Sequence, residues 1–159
     1  TGLPNRLLFH DRLAQQIAQS KRNSRPFALL FLDLDKFKPV NDGLGHAAGD
    51  ELLKAVASRI REQVRESDTV ARFGGDEFTV ILPNAGERDQ AEAIAAKITA
   101  ALTAPFPLAG CGRSVEIGTS LGIAVYPTDA RNAHELITAA DAAMYLAKQA
   151  GSSYLPHPV

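Results

Sequence analysis

The chain has 159 residues, of which 45% are hydrophobic and 22% charged, and its formal net charge is -1. That length suits one domain with a substantial core, and that charge excludes a bulk electrostatic grip on nucleic acid or on an anionic membrane surface. The single cysteine, Cys111, excludes an internal disulfide framework and a cysteine-based zinc site, and no apolar run approaches the roughly 18 residues that span a bilayer. A soluble piece from a reducing, cytoplasmic compartment is expected, with no membrane contact of its own.

From Pro4 to Lys21 the apolar residues Leu7, Leu8, Leu13 and Ile17 recur at helical spacing, with Pro4 or Asn5 as the start signal. Residues 27 to 35, FALLFLDLD, are apolar at both parities until the aspartates, the pattern of a central strand covered on both faces. KFKPVNDGLGHAAGD predicts a short helical turn, with Pro39 tolerable in its first turn, and then a glycine-punctuated loop. A second main helix follows in ELLKAVASRIREQV, with Leu52, Leu53, Val56, Ile60 and Val64 on one face. Residues 69 to 82 read as a hairpin whose turn takes its positive φ from Gly74 and Gly75. Helical spacing returns over 87 to 103 at Ala91, Ile94, Ala95, Ile98 and Leu102. Residues 114 to 126 are strand-like, with Gly118 and Gly122 as bulges or points of close approach, and 132 to 149 form a last helix ending near Gly151. Embedded in this order is β-α-β-β-α-β, an α+β ferredoxin-like core with a mainly antiparallel sheet flanked by helices. In that topology the end of the first strand and the hairpin turn lie on neighbouring central strands.

Adjacent acids at a hairpin tip, Asp76 and Glu77 in RFGGDEF, are by themselves a solvated turn. They gain meaning from Asp33 and Asp35, which close a buried strand where an unpaired carboxylate is costly. Alternation puts Asp33 and Asp35 on one face and Leu34 on the other, leaving the Leu34 carbonyl as a further oxygen donor. Such a hard, oxygen-only set suits magnesium or manganese. Neutralisation by Arg72 or a nearby lysine accounts for the same acids as salt bridges, and spacing alone weighs the two readings equally. Magnesium held by few carboxylates keeps positions for phosphate oxygens, which points to nucleoside triphosphate chemistry. Lys36 and Lys38, one turn beyond Asp33, either meet a phosphate or lie solvated on a helix face. Asn41 and Asp50 offer an amide and a carboxylate for the edge of guanine, with Asp50 alternatively the cap of a helix starting near Glu51.

Taken together, TGLPNR, LDLDKFKPVNDGLGHAAGD, RESDTVARFGGDEF, SLGIAVYP and AADAAMYLAKQAG strongly resemble the GGDEF domain family of bacterial diguanylate cyclases, in order and over nearly the whole chain. The family's fold is similar to the palm of nucleotide polymerases and to class III nucleotide cyclases. The resemblance implies that Asp33, the Leu34 carbonyl and Asp76 hold magnesium, that Glu77 completes the acidic cluster, and that Asp76 or Glu77 assists deprotonation of the attacking 3′-hydroxyl. Lys38 would steady transition-state charge, Asn41 and Asp50 would read guanine with His46 nearby, and Lys148 would contact the triphosphate, its alternative being to complement a helix C-terminus. The implied reaction joins two GTP into cyclic di-GMP and two pyrophosphates across a two-fold homodimer.

Arg65 to Asp68, R-E-S-D, match the family's product-inhibition site, where arginine and aspartate clamp cyclic di-GMP; the plain alternative is a helix-end salt bridge. Ser152 departs from the family, which usually places there an arginine reaching the triphosphate, and it bears on GTP affinity. The competing functional class is a catalytically weak GGDEF module that binds GTP or cyclic di-GMP and regulates a neighbouring domain. Residues 1 to 159 are expected to form one such domain from a longer signalling protein, itself soluble or membrane-anchored.

Overall fold

Phe27–Asp35 forms β1, and its first six residues are fully buried because both of its faces are covered. In the computed structural model, which describes residues 2–151, β1 lies between β3 (Glu77–Leu82) and β6 (Gly118–Tyr126), antiparallel to both, and β2 (Thr69–Arg72) borders β3. On one face Ala28, Leu30, Leu32 and Leu34 meet Leu52, Val56 and Ile60 of α3 (His46–Gln63) and Ala95, Ile98 and Leu102 of α4 (Arg88–Thr103). On the other face Phe27, Leu29 and Phe31 meet Phe9, Leu13 and Ile17 of α1 (Arg6–Asn23) and Leu136, Ala140 and Met144 of α5 (Ala133–Gln149). The expected α+β order and strand pairing are therefore present, with helices on both faces.

Several expectations are corrected. Asn5, not Pro4, caps α1, its side chain accepting from the Leu8 amide at 3.0 Å. The buried stripe of α1 is Phe9, Leu13 and Ile17, whereas Leu7 is 79% exposed, because the stripe is set by where α1 crosses the sheet rather than by which residues are leucine. The stretch from Lys36 is more helical than predicted. After Lys36, held left-handed at φ 65°, α2 runs Phe37–Leu44 with Pro39 in its first turn, and α3 begins at His46. Asp50 therefore lies inside α3 and is not its cap. Gly49 serves close packing rather than a loop, since a Cβ there would collide with the Asn41 carboxamide oxygen. A short hairpin of β4 (Phe106–Leu108) and β5 (Arg113–Val115) precedes β6, which starts at Gly118 rather than Ser114. Its apex is held by Glu51, whose carboxylate accepts from the amides of Ala109 at 2.7 Å and Gly110 at 3.1 Å.

Neither Gly74 nor Gly75 has a positive φ, contrary to expectation. Gly74 is small for a different reason: a Cβ would stand 2.8 Å from Glu77 Oε1, whose carboxylate folds back over the turn. Gly122 does mark a close approach, since a Cβ there would collide with the main chain of Ala140 and Met144 in α5.

Candidate active site

Three strands place the acids. Asp33 is the register partner of Glu77 on β3 and of Ser120 on β6, and Asp35 is the partner of Gly118. Because β1 alternates, Leu34 packs into the core on the α3 and α4 side, while the two aspartates look toward the α1 and α5 side. The turn carrying Asp76 is tied to the same strand end, for the Leu34 amide donates to the Asp76 carbonyl at 3.1 Å. Phe73 and Gly74 amides both point to the Glu77 carbonyl, at 2.9 and 3.4 Å, which closes the turn on itself.

Arg72 does not neutralise the acids. Its guanidinium spans the turn from beneath, donating from Nε to the carbonyls of Gly74 at 3.2 Å and Gly75 at 3.1 Å and from an Nη to Gly75 at 2.8 Å. The cation beside the acids is Lys148, from the last turn of α5, whose Nζ lies 2.8 Å from Asp33 Oδ2 and 3.8 Å from Asp35 Oδ1. That hydrogen bond to Asp33 holds the Lys148 pKa above its ordinary value. Asp35 also accepts from the buried Ser120 hydroxyl at 3.2 Å. Sequence reading missed Ser120, since only the β1–β6 register brings it opposite Asp33 and beside Asp35.

Burial pushes the Asp76 and Glu77 carboxyls above their usual range, and the Asp33 charge adds to both. Asp141 on α5 raises Glu77 further, and Arg6, which stacks its guanidinium 4.2 Å from the Phe73 ring centre, pulls it back. Asp33 Oδ1 is buried without a hydrogen-bond partner. A buried carboxylate oxygen with nothing to accept from is costly unless a cation completes it. Among the described residues no three acidic, histidine or cysteine side chains close on one point as a ready metal cluster. The fit to a divalent cation rests instead on that unpartnered Asp33 oxygen and on the neighbouring Asp76, both hard oxygen donors.

The other sequence-predicted residues fall into two groups. Lys38 and Asn41 stand on α2, which leaves β1 at its acidic end, and the Asn41 amide nitrogen lies 3.0 Å from Nδ1 of His46 at the start of α3. Asp50 follows one turn later on α3 and is exposed. Arg65 and Asp68 are placed apart from these, at the far end of β2 from the Gly74–Glu77 turn. Their contact is a main-chain one, the Arg65 amide donating to Asp68 Oδ2 at 2.7 Å, and not a salt bridge between side chains. Both residues line two adjoining cavities of about 410 and 400 Å³. Burial raises the Asp68 pKa, with the Arg65 amide opposing. Ser152 lies outside the described residues.

An antiparallel β-α-β-β-α-β sheet, with acids at the end of β1 and on the β2–β3 turn, is a palm-type α+β core. The family described as diguanylate cyclase, GGDEF domain, matches residues 1–154, and the chain belongs to it. The bifunctional diguanylate cyclase/cyclic di-GMP phosphodiesterase MucR of Pseudomonas aeruginosa is 51% identical over 95% of this chain and 22% of its own length. The diguanylate cyclase TpbB of the same species is 46% identical over 94% of this chain and 34% of its own. The chain thus spans about a third or less of the length of these curated relatives. The crystal structure of the GGDEF domain of TpbB, also called YfiN, superposes with a TM-score of 0.92 at 44% identity, covering 99% of each chain. That of the coiled coil and GGDEF domain of DgcB from Caulobacter crescentus, in complex with c-di-GMP, has a TM-score of 0.90 at 28% identity, covering 98% of this chain and 82% of that one.

Proposed function

We propose that this domain is a diguanylate cyclase, condensing two GTP into cyclic di-GMP and two pyrophosphates with Mg2+ or Mn2+ at the interface of a two-fold homodimer in the cytoplasm. The observation that carries this reading is Asp33 Oδ1, a buried carboxylate oxygen without a partner, at the strand end to which the Asp76 turn is hydrogen-bonded.

A bound divalent cation would supply charge neutralisation at the α-phosphate and its leaving group. Asp33, the Leu34 carbonyl and Asp76 would hold it, with Glu77 alongside. The chain's own groups do the rest. Asn41 and Asp50, on facing turns of α2 and α3 with His46 between them, bind the base, the Asp50 carboxylate accepting from guanine N1-H and N2-H. Lys38 and Lys148 bind phosphate oxygens and steady the charge that develops there. Each 3′-oxygen attacks the α-phosphorus of the other GTP, the bond from that phosphorus to the bridging β-phosphate oxygen breaks, and one pyrophosphate leaves for each bond formed. The hydroxyl proton passes to Asp76 or Glu77, the carboxylates nearest the turn. Each half-site holds only one of the two nucleotides, so the second comes from a facing copy. Arg65 and Asp68, at the two cavities beyond β2, bind the product and restrain the domain.

Incubation with GTP and Mg2+ tests the reading, with cyclic di-GMP identified by mass spectrometry. Product is expected from the native chain and none from Asp76→Asn. Near-normal synthesis by that variant removes Asp76 from the site, and GTP left intact by the native chain overturns the activity.

A further inference from the structure

The cation that Asp33 already holds is a side chain. Lys148 Nζ stands 2.8 Å from Asp33 Oδ2 and within 3.8 Å of Asp35. A divalent ion ligated by the same carboxylate would sit roughly 2.1 Å from one of its oxygens, which brings it within a few ångströms of the ammonium. Two cations on one carboxylate repel, so a lysine on Oδ2 weakens the hold of Oδ1 on a divalent ion.

The two partners are unequally anchored. Asp33 is fixed on the central strand with its side chain 15% exposed, whereas Lys148 is 48% exposed, on the last turn of α5 and at the end of a flexible four-carbon stem. The lysine is therefore the partner that moves. It also leaves Asp33 incompletely served, for Oδ1 stays buried without a hydrogen bond. Lys148 pairs with Asp33 and Asp35, and Arg6 acts on Glu77, so among the described residues the four carboxylates of Asp33, Asp35, Asp76 and Glu77 still outnumber the cations beside them.

We propose that Lys148 is a resident counter-ion which blocks Asp33 against a lone divalent cation and is drawn off it by the phosphates of an incoming nucleotide. This inference rests on the reading of the site as one that binds a metal and a triphosphate. Its consequence is an order: the metal-free protein takes up metal alone weakly, and nucleotide and metal enter together, each removing an obstacle to the other. Ser120 keeps Asp35 beside the lysine, so the resting pair is held between two carboxylates.

The test is Mn2+ binding without nucleotide, followed by electron paramagnetic resonance and by the shift in melting temperature. Lys148→Met is expected to bind Mn2+ tighter than the native chain by roughly two- to five-fold, the scale of a half-exposed ion pair. Adding a non-hydrolysable GTP analogue should then enhance its metal affinity less than it does for the native chain. Lys148→Arg, which keeps the charge, should retain weak metal binding. If Lys148→Met folds poorly by circular dichroism, Lys148→Gln gives the same comparison. Equal or weaker Mn2+ binding by the neutral variants overturns the exchange. No turnover is needed for this measurement. Tighter metal binding in a domain that makes no cyclic di-GMP defeats the cyclase reading alone, and unchanged metal affinity in an active cyclase defeats the exchange alone.

Discussion

The Leu34 amide donates to the Asp76 carbonyl at 3.1 Å, which ties the acidic end of β1 to the Gly74–Glu77 turn. On the opposite side of that turn the Arg72 guanidinium holds the carbonyls of Gly74 and Gly75. The turn itself has no positive-φ glycine to lock it, so these hydrogen bonds set where Asp76 stands.

Arg72→Ala should therefore lower kcat about ten- to hundred-fold with a smaller effect on KM, since hydrogen bonds from a charged donor are worth about 1.5–3 kcal/mol each. Lys offers no planar fork for two carbonyls and should restore little. Steady-state kinetics on GTP at saturating Mg2+ check this, and a kcat near the native value in Arg72→Ala would show that the main-chain bonds suffice.

Glu77 predicts a trade between stability and activity. Its pKa is raised by burial and by Asp33, Asp141 and Asp76, so the folded chain binds this proton more tightly than the unfolded one. The stability gained from that proton is complete below the ordinary glutamate value of 4.5 and is lost as pH rises through the higher folded value, leaving repulsion at neutral pH. Asp76 behaves in the same sense. Glu77→Gln should melt above the native domain at pH 7.5 without metal, and the difference should shrink toward pH 4. A melting temperature unchanged at both pH values would remove the repulsion from the account.

Gly122→Ala should cost stability by about 1–3 kcal/mol or more, because the added methyl would meet the α5 main chain, which has no rotamer with which to yield. Urea unfolding measures it. Since α5 carries Lys148, the variant should also lose GTP affinity; an undiminished midpoint would mean that α5 shifts freely on the sheet.

How much of this was legible in the sequence follows from range. FALLFLDLD and RFGGDEF carry their own strand and turn signals, so β1, the hairpin and their adjacency could be placed. Asp50 was misplaced because Gly45 and Gly49 read as loop, whereas Gly49 lies within α3, packed against the Asn41 carboxamide across the α2–α3 corner. The Glu51 clasp on the β4–β5 hairpin and the Lys148 contact with Asp33 join residues 58 and 115 positions apart, with no local signature. The exposed Leu7 shows the converse: helical spacing reports that a face exists, and the sheet decides which face it is.

Arg65 and Asp68 give the last prediction. The Asp68 carboxylate is engaged by the Arg65 main-chain amide, which leaves the Arg65 guanidinium outside that bond and on the rim of two adjoining cavities. A guanidinium fork is suited to a guanine edge or a phosphate. The pair sits one strand length from the Asp76 turn, so a ligand there acts on β2 or on how two copies face each other, not on the chemistry itself. Arg65→Ala should bind cyclic di-GMP at least ten-fold more weakly, the loss of one charge-assisted contact. Its initial rate on GTP should stay within about two-fold of native, while inhibition by added product is relieved. Calorimetry and inhibition curves read the two effects separately. Equal inhibition of variant and native chain would reduce R-E-S-D to a turn that starts β2.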